Sequence, residues 1–275
     1  MSIEMLDSLD LELPVLSGNL VELIQLVSND DCDLGELSRR LTLDPVLSGR
    51  LLRVANSPFF GLQRRIGGVD EAIMVVGMAN TRGIVLSALL VENFKLNTLD
   101  PLTLNAYWRH SVGAATATRV IASETVLSPI MAFTAGLMHD LGRLVLMTKF
   151  PERYQEILLT GSVQGLHHYQ IERAEWGFDH AEVSRRLVES WRLPQEVVDA
   201  VAVHHDYEQT HSPLGMVLAV ADRYSGAMEK NNPDSFNDIP EALLGRIGLT
   251  RQNLFDWFEP TCRRAAMFIE MVQLA

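Results

Sequence analysis

Apolar residues recur along this chain at helical spacing. Leu20, Leu23, Ile24 and Val27 fall at three- and four-residue steps, as do Leu47, Leu51, Leu52 and Ala55, the period of one buried helix face. Asp44 before Pro45 reads as an N-cap followed by a first-turn proline. The turn-rich stretch Asn56-Ser57-Pro58-Phe59-Phe60-Gly61 interrupts the pattern. Asp70 reads as the cap of a helix over 71–76 that Gly77 ends, and another apolar helix follows through Ile84, Leu86, Leu89 and Leu90. Further helices are expected near 103–122, 130–149, 151–160, 164–176, 180–191, 194–205, 213–229, 240–247 and 252–273. Alternating β-branched runs are almost absent, so the pattern predicts an all-α protein. The segment Leu96-Asn97-Thr98-Leu99-Asp100-Pro101 reads as a boundary. It divides an N-terminal helical part, 1–97, from a helical core, 98–230, and a C-terminal helical extension, 231–275. Lys230 to Asp234 reads as a loop.

Composition narrows the setting. With 47% hydrophobic residues the 275-residue chain can bury a large core. Two cysteines, Cys32 and Cys262, argue against a disulfide scaffold and fit a reducing cytoplasm. Neither a targeting segment nor an unbroken apolar run of membrane-spanning length is apparent, so a cytoplasmic location is expected. The net charge is −12, and nine acids with no base occupy the first 36 residues. Such a balance repels a phosphate backbone and disfavours generic nucleic-acid binding. The pairs Arg39-Arg40, Arg64-Arg65, Arg185-Arg186 and Arg263-Arg264 are scattered and read as solvated faces.

The histidines carry the chemistry. His110 falls in line with Tyr107, Ala114, Ala117 and Ile121, on an inward face. His139-Asp140 has Gly136 three residues before the histidine and Gly142 three after it. A helix-interior glycine costs roughly 1 kcal/mol relative to alanine, so two of them imply that another helix or a ligand comes close. His180 follows the capping residue Asp179, His204-His205 end the helix opened by Pro194, and Asp222 sits on a largely apolar helix. A carboxylate among apolar neighbours is costly unless it is paired, protonated or bound to metal. One buried histidine is commonly a hydrogen-bonded core residue, and His167, His168 and His211 read as exposed. The ordered set His110, His139, Asp140, His180, His204, His205 and Asp222 instead points to a shared metal site between helices. Nitrogen and oxygen donors suit iron, manganese or zinc, and an aspartate can bridge two ions.

In this order the residues resemble the HD superfamily of metal-dependent phosphohydrolases, and more closely its HDOD branch, associated with bacterial signalling. The N-terminal marks are Leu13-Pro14, Leu43-Asp44-Pro45-Val46-Leu47, Leu51 through Ser57, and Ala72-Ile73 leading to Gly77. Those of the second half are Tyr107 through Ser111, Ala132 through Arg143, Glu175 through Val183, Trp191-Arg192-Leu193-Pro194 and His204-His205. The resemblance implies an HD-domain-like helical bundle with an N-terminal helical subdomain. Relatives in the HD-GYP group hydrolyse cyclic di-GMP with two or three metals, and this chain departs from them in four places. Ala106 stands where some have a glutamate, Arg143 where they have a lysine, and Ser225 where they have an aspartate. No Gly-Tyr-Pro loop lies between Asp140 and His204. These departures argue against a cyclic di-GMP phosphodiesterase while leaving a two-metal site chemically feasible.

Two functions follow as expectations. One is a signalling or scaffold module acting through protein partners or a small phosphorylated molecule or nucleotide. Phe59, Phe60, Arg64 and Arg65 are a candidate contact surface for it, though the aromatics also read as ordinary packing. The other is a phosphohydrolase with one or two ions of Fe, Mn or Zn held by His110, His139, Asp140, His180, His204, His205 and Asp222. In that case Asp140 and Arg143 are the catalytic candidates, and Arg143 and Arg223 would steady the phosphate.

Overall fold

The computed structural model describes residues 14, 16–94, 99–208 and 210–274. Residues 96–98 of the expected 96–101 boundary and the acids Glu4, Asp7, Asp10 and Glu12 lie outside the described residues. Among the described residues there is no β-strand. The N-terminal helices are α1 (Gly18–Ser28), α2 (Leu34–Leu43), α3 (Pro45–Ala55), α4 (Val69–Val76) and α5 (Met78–Asn93). The central ones are α6 (Pro101–Ser123), α7 (Pro129–Met138), α8 (Leu141–Lys149), α9 (Pro151–Gln164), α10 (His168–Trp176), α11 (His180–Ser190), α12 (Gln195–Val203) and α13 (Pro213–Glu229). A 3₁₀ segment, Pro233–Asp238, leads into α14 (Glu241–Arg246) and α15 (Arg251–Leu274).

Local chemistry explains most of these boundaries. Asp44 caps α3 by accepting from the amides of Val46 and Leu47, each at 3.0 Å, ahead of Pro45. Asp179 caps α11 through the Glu182 amide. Two expectations change. Asp70 is not a cap: α4 starts two residues earlier than expected, at Val69 behind Gly68, and Asp70 sits in its first turn, where an acid suits the helix dipole. The helix expected over 130–149 is two helices, broken at His139-Asp140. There the Gly142 amide leaves the helical ladder and donates to Ser184 Oγ at 2.7 Å.

One apolar cluster runs from Leu23, Leu37 and Leu51 through Leu86 and Leu90 to Leu137, Leu144 and Val201, spanning both sides of the expected 97/98 boundary. A second gathers Ala117, Ile121 and Tyr224 around Phe236, Leu244, Leu254 and Phe258. Helix α15 returns to the first cluster, where Phe268 meets Phe133 edge-on at 5.4 Å. The stretch Pro129–Lys149 is long and apolar enough to cross a membrane, and 83% of its most apolar 18-residue window is buried inside the bundle.

The glycines flanking the doublet mark close helix crossings. A Cβ on Gly136 would stand 2.5 Å from the Ala115 Cα of α6, and one on Gly142 would collide with the His180 carbonyl of α11. Helices, rather than a ligand, account for both. They bring α6, α8 and α11 against the doublet.

Candidate metal centre

His139 and Asp140 occupy the two-residue break between α7 and α8, which turns both side chains inward. The His139 Nδ1–H donates to the Gly136 carbonyl at 2.8 Å. Because a carbonyl only accepts, Nδ1 holds the proton and Nε2 presents its lone pair. His204, just past the end of α12, repeats the arrangement with the Val201 carbonyl at 2.7 Å. Both rings are fully buried, and neither Nε2 makes a hydrogen bond.

The remaining expected residues converge on the same place. Asp140 Oδ1 lies 3.1 Å from His180 Nε2, 3.4 Å from His139 Nε2 and 3.9 Å from His204 Nε2. Its other oxygen, Oδ2, lies 3.6 Å from His110 Nε2. His110, on α6, meets Asp222 of α13 at 3.0 Å, and Asp222 also approaches His139 Nε2 at 3.7 Å. His205 Nε2 stands 2.8 Å from His180 Nε2. The donors form two triplets, His180/His204/His205 and His110/His139/Asp140, each with its ligand atoms within 4.8 Å of one another. This imidazole and carboxylate set, with two orphaned buried nitrogens, fits divalent metal.

A cavity of about 620 Å³ opens onto the cluster. Arg143 and Arg223 both reach its wall. Arg143 donates NH1 to Asp140 Oδ2 at 2.9 Å, Nε to the Tyr154 hydroxyl and NH2 to His168 Nδ1. Arg223 donates to the Ala219 carbonyl and lies over the Tyr207 ring. His168 is therefore half-buried against Arg143, not exposed as its sequence context suggests, whereas His167 and His211 are exposed. Tyr169 stacks on His205 at 4.2 Å and covers it from the cavity side.

Two departures from the HD-GYP pattern also have a place. Ala106 lines the cavity one turn before His110. Ser225 donates to the His110 carbonyl at 2.9 Å, and its hydroxyl sits against Gly113, where an added Cβ would collide with it.

Glu172 is the residue that periodicity missed. It is fully buried and accepts from His180 Nδ1 at 2.6 Å. Its spacing of four from the buried Trp176 places it on the inward stripe of α10, the one signal that could have found it.

Burial pulls His110 down, but hydrogen bonds to Asp222 and Glu229 and the charge of Asp140 carry it up to about 10. Burial likewise opposes the charged form of His180, yet Glu172 and Asp140 raise it to about 10. Burial, then the neighbouring His139 and His180, hold His204 at about 3. Burial works against the ionised Asp140, but His139, Arg143 and His180 keep it well below the usual carboxylate range. At neutral pH the metal-free site thus stores protons on His110 and His180. A metal must displace them, so its affinity is expected to fall as pH falls below about 10, by about tenfold per unit for each displaced proton. Calorimetric Zn²⁺ titrations in buffers of different ionisation enthalpy should show about one proton released per ion. An observed enthalpy that does not change with the buffer would contradict this protonation.

The helical bundle and its inward His/Asp cluster are those of the HD superfamily. Within it, the HDOD domain model matches residues 13–207, and the chain belongs to that family. A Shewanella amazonensis protein provisionally named a phosphohydrolase superposes with a TM-score of 0.77 at 25% identity, over 98% of this chain and 97% of its own. An HDOD domain protein of Geobacter sulfurreducens gives 0.75 at 21% identity, over 98% and 99%. The chain also matches ribonuclease Y of Thermus thermophilus at 28% identity over 144 residues, which is 52% of this chain and 20% of that enzyme. An uncharacterized Treponema pallidum protein is 21% identical over 85% of this chain, which spans 45% of that protein's length.

Proposed function

We propose that the chain is an HDOD-type regulatory module whose pocket holds divalent metal and recognises a phosphorylated small molecule. The observation that carries this reading is the pair of buried Nε2 atoms of His139 and His204 that no protein group satisfies. A buried polar group left unpaired costs about 1–3 kcal/mol. Within a cluster of imidazoles and carboxylates, a divalent cation is the partner that both lone pairs suit. His110, Asp140, His180, His205 and Asp222 would complete the ligand set, and iron, manganese and zinc all match its donors. Arg223 and Lys230 on the cavity wall would attract a phosphate that the net charge of −12 otherwise repels. Partners of the module would read the ligand-bound state.

A second reading, phosphoester hydrolysis, is favoured by the position of Asp140, whose two oxygens face different histidines. Divalent ions, when bound, supply an acidified water and a Lewis acid. Asp140 would hold the two triplets in register, and His205 and His110 would border the space left for the phosphate. The match to ribonuclease Y enzymes makes phosphodiesters the first substrates to try.

Protein purified without added metal should carry Fe, Mn or Zn at close to one ion or more per chain, measured by atomic emission. A panel of phosphomonoesters and phosphodiesters with Mn²⁺ then separates the readings. Metal without turnover leaves the binding module; metal with turnover establishes the hydrolase. Protein that takes up no metal, even when supplied with it, contradicts both.

A further inference from the structure

The candidate ligands Asp140 and His180 are joined behind the cavity by a run of hydrogen bonds through successive helices, closed into a ring by an ion-pair contact. Asp140 Oδ2 accepts from Arg143 NH1 at 2.9 Å. Arg143 Nε donates to the Tyr154 hydroxyl at 3.2 Å, and that hydroxyl donates to Glu172 Oε1 at 2.9 Å. Glu172 Oε2 accepts from His180 Nδ1 at 2.6 Å and from the His180 backbone amide at 2.8 Å. His180 Nε2, 3.1 Å from Asp140 Oδ1, closes the ring.

Glu172 is not placed to be a ligand itself. Both its oxygens are engaged, it is fully buried, and it does not reach the cavity wall. Its two contacts to His180 fix different things. The bond to the amide sets the first turn of α11, and the bond to Nδ1 sets the rotation of the ring on that turn. Tyr154 in turn limits where Glu172 can stand. Its own ring is fully buried and lies over Trp176 of the same helix as Glu172, at 6.3 Å and 22°.

Resting on the metal-centre reading, we propose that Glu172, seated by Tyr154, is the positioning residue that turns His180 Nε2 toward Asp140 and thereby sets the affinity of the site. A carboxylate on the far nitrogen fixes the tautomer of a ligating histidine and raises its basicity, and losing such a partner typically weakens metal binding about 10–100-fold. Tyr154 and Arg143 extend the same control to Asp140, so the two ligands are held as a unit.

The test uses the full chain stripped with a chelator and titrated with Co²⁺, read by its d–d absorption, and with Zn²⁺ in competition with a chromophoric chelator. Glu172→Met keeps the side-chain length and removes both acceptors. It is expected to weaken binding by about 10–100-fold and to alter the Co²⁺ spectrum. Glu172→Gln returns an oxygen to Nδ1–H and an amide to the Tyr154 hydroxyl, and is expected to recover the wild-type spectrum and most of the affinity. Tyr154→Phe removes one hydroxyl from a residue whose ring packing is unchanged, and is expected to weaken binding a few-fold. It keeps the test open should Glu172→Met not fold. Thermal unfolding of the metal-free variants separates general destabilisation from loss of the site. Wild-type affinity and spectrum in the folded variants would overturn the positioning role. Absence of Co²⁺ and Zn²⁺ binding by the wild type would instead overturn the metal reading, and this inference with it.

Discussion

Asp140→Ala is expected to empty the site of metal and to destabilise the fold in the same step. The carboxylate is 2% exposed and lies within 4 Å of His110, His139, His180, His204 and Arg143. Without it the two ligand triplets lose the one side chain that faces both. Arg143 also loses its carboxylate while the hydrogen bonds to Tyr154 and His168 hold it in place. Removing one partner of a buried ion pair costs about 3–5 kcal/mol, because the remaining charge is left uncompensated. Metal content should fall below about one-tenth of wild type, given the strength such sites draw from each ligand. Urea unfolding of the metal-free proteins should show the stability loss separately. Asp140→Asn keeps the shape and removes the charge, so it should lose metal with a smaller structural penalty. Undiminished metal in Asp140→Ala would remove Asp140 from the ligand set.

The second large effect concerns a residue with no chemistry of its own. Gly136→Val should destabilise the protein by at least about 3 kcal/mol, the upper range for overpacking a close-fitted core. The added Cβ meets main-chain atoms, the Ala115 Cα at 2.5 Å and its nitrogen at 2.8 Å, so no side-chain rotation relieves the clash. Helices α6 and α7 must move apart. The first carries His110, and the second carries the Gly136 carbonyl that orients His139. Metal affinity should therefore fall along with stability. Gly49→Ala is the control: Gly49 is an exposed interior position of α3 with nothing within 4 Å of its added Cβ. It should be neutral or gain up to about 1 kcal/mol. Equal urea midpoints for Gly136→Val and wild type would contradict the close crossing.

How legible these features were in the sequence depends on whether their causes were local. Helix α13 is read to the residue, 213–229, because Ser212 and Pro213 mark its start and the apolar face is continuous. The break at His139-Asp140 is not readable, because apolar residues continue at helical spacing through Leu141 and Leu144. The group that satisfies the Gly142 amide at this break is Ser184, 42 residues away. The seven His and Asp candidates are recognisable together because imidazoles and carboxylates on apolar faces need a common explanation, and the fold does bring them together. Glu172 carries only the weak mark of its spacing from Trp176, since its partners Tyr154 and His180 belong to other helices. His168 was misread for the same reason: the group that draws it inward, Arg143, is 25 residues earlier in the chain.

The distance along the chain between the cluster's members has a consequence for how the protein is made. Asp222 lies 112 residues after His110, and the donors between them arrive at three places, the His139-Asp140 break, the start of α11 and the end of α12. During synthesis at about 5–20 residues per second, several seconds separate the emergence of His110 from that of Asp222. Throughout that interval the nascent chain exposes imidazoles without the carboxylate that completes their set. Any ion the complete site takes up would therefore be selected after α13 has docked, in competition with whatever the earlier histidines had already captured.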